Sequence, residues 1–179
     1  MGQSQDRDVH TDILDVAEAI VRQHGFNGLH INDVSARLGV GGAEILRHFP
    51  SKDDLVRVLA ERYAARFLEQ ARAVLRQPGT VSDRIAAYGE LFRNSYQDDG
   101  KMCLCGILAA ESTDIPRPVR KIIADFFRVN IELLEETTQK KQEARLILSS
   151  LEGAILLARA NENIGPLNDV ISDLRLRYV

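Results

Sequence analysis

Apolar residues recur along this chain at three- and four-residue spacing almost throughout, the period of a helix that buries one stripe. In the first segment Val9, Ile13, Ala17, Ile20 and Val21 mark one face, with Asp12, Asp15, Glu18 and Arg22 around the rest. The pattern predicts a helix near Asp8–His24, stopped by Gly25. A short helix at Ile31–Leu38 follows, with Ile31, Val34 and Leu38 inward and Gly39 beyond its end. A second short one carries Ile45, Leu46 and Phe49 and cannot pass Pro50, which forces its predecessor out of the helical region. Ser51 is positioned to cap a long helix through Leu55, Val58, Leu59, Tyr63 and Phe67 to about Gln77, before Pro78-Gly79.

A fifth helix, capped by Thr80 or Ser82, reaches Tyr96 and is closed by Asp98-Asp99-Gly100. A sixth, Met102–Ser112, is apolar on most sides, and a seventh runs from Pro116 and Pro118 to about Lys140. The eighth, Glu143–Asn161, is apolar on two sides, so its second side needs another partner, either within the chain or in a second subunit; the expectation is a subunit interface with the last helix alongside, at Leu148, Leu151, Ile155, Val170 and Leu174. The last helix follows Gly165-Pro166. Strand signals are scarce and no repeat is present. The expected fold is all-α with about nine helices.

Composition supports a folded chain of about one domain's length: 179 residues, 45% hydrophobic and 27% charged. No apolar run approaches the roughly 20 residues of a membrane helix, and the start MGQSQDRDVH lacks the basic-then-apolar layout of a signal peptide. The expectation is a soluble, cytoplasmic protein with no membrane partner. The net charge of −3 argues mildly against nucleic-acid binding. That objection sharpens at residues 1–52, where five basic groups meet seven acidic ones. Most of those acids fall on the first helix, which can face away from DNA, whereas Arg37, Arg47, His48 and Lys52 flank the second short helix.

Ile31–Phe49 has the layout of a helix-turn-helix: short helix, glycine-containing turn, short helix. Val34, Leu38 and Ile45 should meet so that the first helix braces the second, whose N-terminal residues then enter a major groove. Ile13–Tyr63 resembles the DNA-binding region of the TetR family of bacterial repressors. The resemblance rests on His24-Gly25-Phe26, Ile31-Asn32-Asp33-Val34, Leu38-Gly39-Val40, and Ile45–Phe49 followed by Pro50-Ser51-Lys52 and Leu55. The remainder, including Cys103-Leu104-Cys105-Gly106-Ile107-Leu108-Ala109-Ala110-Glu111, is similar in layout to that family's ligand-binding and dimerisation domain. The resemblance implies a helix-turn-helix domain at 1–52, a ligand-binding and dimerisation domain at 53–179, and a homodimer on a palindromic operator in double-stranded DNA. It also implies an effector, here an unidentified small molecule, that shifts the spacing of the two reading helices.

The DNA-contacting residues so implied are His30, Arg37, Gly42, Ala43, Glu44, Arg47, His48 and Lys52. Members of the family often carry Ser or Thr where His30 stands, Ser at Gly41, Lys at Gly42 and a phosphate-binding Tyr at Leu46. Arg47 is a solvated charge or a base contact, Glu44 a surface acid or an acceptor for cytosine, and His48 a neighbour of Phe49 or a phosphate contact. The thinned contacts at Gly41, Gly42 and Leu46 motivate an alternative: a helical interaction protein with a weakened DNA-reading helix.

For the effector, Phe67, Tyr88, Phe92, Tyr96, Cys103, Phe126, Phe127 and Asn130 are candidates to line an apolar pocket, or are plain core. Cys103 and Cys105 point about 200° apart on a helix, which suits neither a mutual disulfide nor a shared metal. They are small core residues, or Cys103 is a reactive thiol in the pocket. Gly39-Val40-Gly41-Gly42 lacks the strand and spacing of a nucleotide fingerprint, and no catalytic motif is present. Neither an enzyme, a cofactor nor a metal site is expected.

Overall fold

The computed structural model describes residues 2–97 and 100–178, with side chains at 9–96 and 100–178. Among the described residues there are nine helices and no strands. They are α1 (Gly2–His24), α2 (Ile31–Leu38), α3 (Gly42–His48), α4 (Lys52–Leu75) and α5 (Val81–Gln97), then α6 (Leu104–Ala110), α7 (Arg117–Thr138), α8 (Lys141–Ala160) and α9 (Gly165–Arg177). The all-α expectation holds, with two adjustments. Helix α1 starts before Asp8, because Gly2–Asp8 holds no apolar side chain for periodicity to register. Helix α6 is one turn shorter than expected, with Cys103 at its N-cap and Glu111 at its C-cap. Asp98 and Asp99, expected to close α5, lie outside the described residues; Gly100, with φ +64°, makes the left-handed turn.

The caps are chemical. Ser51 Oγ accepts from Asp54 N at 3.1 Å and starts α4. At α5 the choice falls on Thr80: its Oγ1 accepts from Asp83 N at 3.1 Å while its own N–H donates to Asp83 Oδ2 at 3.0 Å, a reciprocal box. Ser82 instead donates to the Arg175 carbonyl at 2.7 Å and ties α5 to α9.

Helix α4 is the central element. Its upper part packs on α1, and its remainder lies against α7 and α5, with α8 and α9 closing the far side. The division expected after residue 52 falls at the first residue of this uninterrupted helix. Phe67 anchors the core there, with ring centroids 5.2 Å from Phe92, 5.3 Å from Phe126 and 6.2 Å from Tyr88. Each such pair contributes about 0.5–1.5 kcal/mol beyond burial itself.

Candidate nucleic-acid interface and effector cavity

Helix α3 is held out from the molecule by what lies beneath it. Val34 and Ile45 are fully buried, Phe49 nearly so, and Leu38 half-buried, so α2 braces α3 as the apolar spacing requires. Gly39 turns the chain at φ +67°, and the turn is tied by Ser35 Oγ donating to the Val40 carbonyl at 2.5 Å. Gly41 and Gly42 are different. A Cβ at Gly41 would meet nothing within 4 Å, and one at Gly42 only Asn32 Oδ1 at 3.9 Å. Packing therefore leaves open space in front of the first turn of α3.

Around that space stand the side chains singled out from the sequence. His30, at the α2 N-cap without a side-chain capping bond, Arg37, Ala43 and Arg47 are exposed; Gly42, Glu44, His48 and Lys52 are half-buried. Arg47 Nη2 lies 3.1 Å from Glu44 Oε1. The ring of His48 meets that of His10, which in turn lies 4.7 Å from Phe49. Lys52 Nζ stands 4.3 Å from the centre of the Phe26 ring. Burial lowers its pKa, against the opposite pull of Asp53 and Glu111. Two of the acids that clouded the charge balance are taken up elsewhere: Arg62 lies 2.7 Å from Asp15 and 3.0 Å from Glu18, and Arg66 lies 2.6 Å from Glu18. Both arginines belong to α4, so α1 spends these two carboxylates on holding its neighbour.

In the other half, α6, α7 and α8 enclose an open cavity of about 610 Å³, within the 300–1,000 Å³ usual for small-molecule sites. Its walls are apolar: Ile107, Phe127, Ile131, Leu148 and Leu156 among them, with Glu152 and Arg159 as the charged members. Of the pocket candidates read from the sequence, only Phe127 lines it. Tyr88, Phe92, Cys103, Phe126 and Asn130 are packed in the core, and Tyr96 nearly so. Their polar atoms are spent internally: Tyr88 Oη donates to Asn130 Oδ1 at 2.7 Å, Asn130 Nδ2 to the Phe126 carbonyl at 2.8 Å, and Tyr96 Oη to the Ala158 carbonyl at 3.0 Å. Phe67 borders a smaller cleft beside Glu18, Arg22 and Arg66. Both cysteines are unpaired and buried, and burial pushes each thiol well up, the reverse of what a reactive thiolate requires.

The interface candidates divide similarly. Leu151, Ile155 and Leu174 face the chain's own core, Leu148 lines the cavity, and Val170 is half-buried. The second apolar side expected of α8 exists one position over: Leu146, Leu156 and Leu157 are exposed, with Leu176 of α9.

Side chains that the sequence did not single out join cavity to helix-turn-helix. Arg22, buried near the end of α1, donates to the carbonyls of Met102 at 2.8 Å and Ser95 at 2.9 Å. Arg159 of the cavity lining donates to the Arg22 carbonyl at 3.0 Å and to that of Gln23. Glu111 Oε2 accepts from Phe26 N at 2.5 Å and lies where a Cβ on Gly25 would have to go. Cations meeting the carboxyl end of α1 suit its dipole. The one sequence signal for this clasp is Glu111, at the end of the motif beginning at Cys103.

Comparison with known proteins agrees with this architecture. The model for the N-terminal region of bacterial regulatory proteins of the tetR family matches residues 13–59. The model for the C-terminal domain of LmrA/YxaF-like transcriptional regulators matches residues 81–173, half of the chain. The HTH-type transcriptional repressor NemR of Escherichia coli K12 is 22% identical over 191 aligned positions, covering 98% of this chain and 96% of its own. A TetR-family regulator from Agrobacterium tumefaciens shares the fold with a TM-score of 0.89 at 23% identity, covering 97% of this chain and 99% of its own. Another, from Legionella pneumophila, does so at 0.88 and 24%, covering 94% and 96%. At those identities the structural likeness speaks for the fold, and the two family models speak for descent. The chain belongs to the TetR family of bacterial transcriptional regulators.

Proposed function

We propose that this regulator is a ligand-responsive repressor that binds a palindromic operator as a homodimer. His30, Arg37, Gly42, Ala43, Glu44, Arg47, His48 and Lys52 form its DNA-facing surface. The observation that carries the ligand response is the shared use of Arg159: it lines the cavity and also bonds the Arg22 and Gln23 carbonyls in the last turn of α1, nine and eight positions ahead of the start of α2. A molecule entering the cavity and shifting Arg159 therefore acts on the support of the reading helix. The energetic requirement is only that the effector prefer one of the two arrangements. The exposed leucines of α8 and α9 support the dimer, because uncovered apolar surface of this kind marks an interface.

The test is selection of bound fragments from a genomic DNA library by the purified protein at moderate salt. The expected result is enrichment of one palindrome whose half-sites lie about one helical turn, roughly 34–36 Å, apart. Absence of enrichment by a folded, dimeric, ligand-free preparation overturns the repressor reading and favours a helical interaction protein.

A further inference from the structure

We propose that the cavity between α6, α7 and α8 takes an organic cation, an apolar and preferably aromatic body bearing one protonated amine, and that Glu152 receives its charge. This rests on the regulator reading above and names the chemical class of its effector.

The walls set the body of the ligand. Ile107, Phe127, Ile131 and Leu148 offer apolar surface to a ring system, and the volume of about 610 Å³ admits more than one ring. Glu152 sets the rest. Both of its carboxylate oxygens are buried, and among the described residues neither meets an N–H or O–H donor. A buried carboxylate left in that condition is costly, and the cost falls when a donor arrives. The fold makes room for the group. Gly106 lies opposite, and a Cβ there would stand 2.6 Å from Oε2.

Nearby groups do not supply the missing partner. Arg159, on the same lining, gives its guanidinium to the carbonyls of Arg22 and Gln23. Tyr88, which senses the Glu152 charge, has its hydroxyl on Asn130. Cys103 is the weak donor that favours the ionised carboxylate, against the burial that pushes the group up to about 7. An ammonium group supplies both donors and charge, and a charge-assisted bond of that kind is roughly twice as strong as a neutral one. A neutral alcohol supplies a donor alone, and an anion is repelled.

The experiment titrates the full chain at neutral pH with three probes that share one aromatic body: 1-naphthylmethylammonium, 1-naphthylmethanol and 1-naphthoate. Naphthalene fluorescence, with calorimetry as a check, gives the affinities. The ammonium is expected to bind about tenfold or more tightly than the alcohol, with the carboxylate weakest. Glu152→Gln, close to isosteric, is expected to bring the ammonium down to the alcohol while leaving the alcohol within about twofold. Equal affinity for ammonium and alcohol overturns the proposal, as does preference for the carboxylate, binding of none of the three, or a Glu152→Gln chain that keeps the preference. The ranking on the unaltered chain depends on no variant's folding. None of these readouts involves DNA, so failure here leaves the operator selection to judge the repressor reading separately.

Discussion

Arg47 extends from α3 with 66% of its side chain exposed, and its contact with Glu44 is a surface pair worth at most about 1 kcal/mol. Arg47→Ala is expected to weaken specific binding by about 1–3 kcal/mol and to relax preference at one base pair per half-site; an unchanged sequence preference in a binding selection removes that role. Lys52 is placed differently, over the Phe26 ring at the start of α4. Lys52→Ala should weaken all DNA sequences alike and reduce the slope of log affinity against log salt by about one. Loss of the cation–π contact should also lower stability by about 0.5–1 kcal/mol, read by denaturation. Glu152 makes a prediction in pH. Its folded-state pKa of about 7 lies above the ordinary 4.5, so the native state holds a proton that the unfolded chain releases. Stability then falls as pH rises from about 4.5 to 7 and levels off above, for a loss of about 3 kcal/mol. The facing thiols of Cys103 and Cys105 and the Tyr88 hydroxyl are raised by burial and stay neutral over that range. Glu152→Gln should raise the melting temperature at alkaline pH and leave it nearly unchanged at pH 4; equal shifts at both would contradict a buried, titrating carboxylate.

Helix α2 was readable to the residue, because Ile31, Val34 and Leu38 repeat at helical spacing and Gly39 ends them in the left-handed region. The helix-turn-helix was legible for the same reason: its core and its chemistry lie within one short stretch of chain. The cavity was not. A phenylalanine in the core and one at a cavity wall have the same periodicity, and Phe126 and Phe127 differ only in which way α7 turns them. Nor was the clasp around Arg22, whose partners Ser95 and Met102 lie more than 70 residues away. Element spacing in sequence says nothing of such pairs. The clasp is testable at its own scale. Arg159→Met keeps the aliphatic length but leaves the Arg22 and Gln23 carbonyls without these donors. It is expected to cost about 1–3 kcal/mol and to speed amide exchange at residues 25–29 more than in α7. Uniform exchange across both regions would mean that Arg159 does not secure the end of α1.

At the scale of the molecule the exposed Leu157 of α8, 55% accessible, lies with Leu146 on the face proposed to meet a second copy. Leu157→Glu should give a folded monomer by light scattering and lose operator affinity, since a single reading helix forfeits half the contacts. A dimer that survives this change would place the interface away from α8. The chain also distributes the labour of its clasp unevenly. At the far end of α1 the acceptors for Arg159 are main-chain carbonyls, and the donor to Glu111 is a main-chain N–H. Every residue carries the carbonyl and every residue but proline the N–H, so beyond Gly25, where a Cβ would meet Glu111, they place little demand on which side chains the DNA-reading segment uses. The effector half supplies the specific arginine and glutamate; the reading half supplies a helix that ends in the right place, with Arg22, Asn27 (2.9 Å from Asp114 Oδ2), Asp15 and Glu18 as side chains that hold it to its neighbour. Such an attachment lets DNA preference drift while the response to a ligand is kept. It also makes the first 50 or so residues exchangeable: a reading segment from another member should remain answerable to this cavity if its first helix stops at the same point and keeps the buried arginine, the glycine after it and the carboxylates that face Arg62 and Arg66.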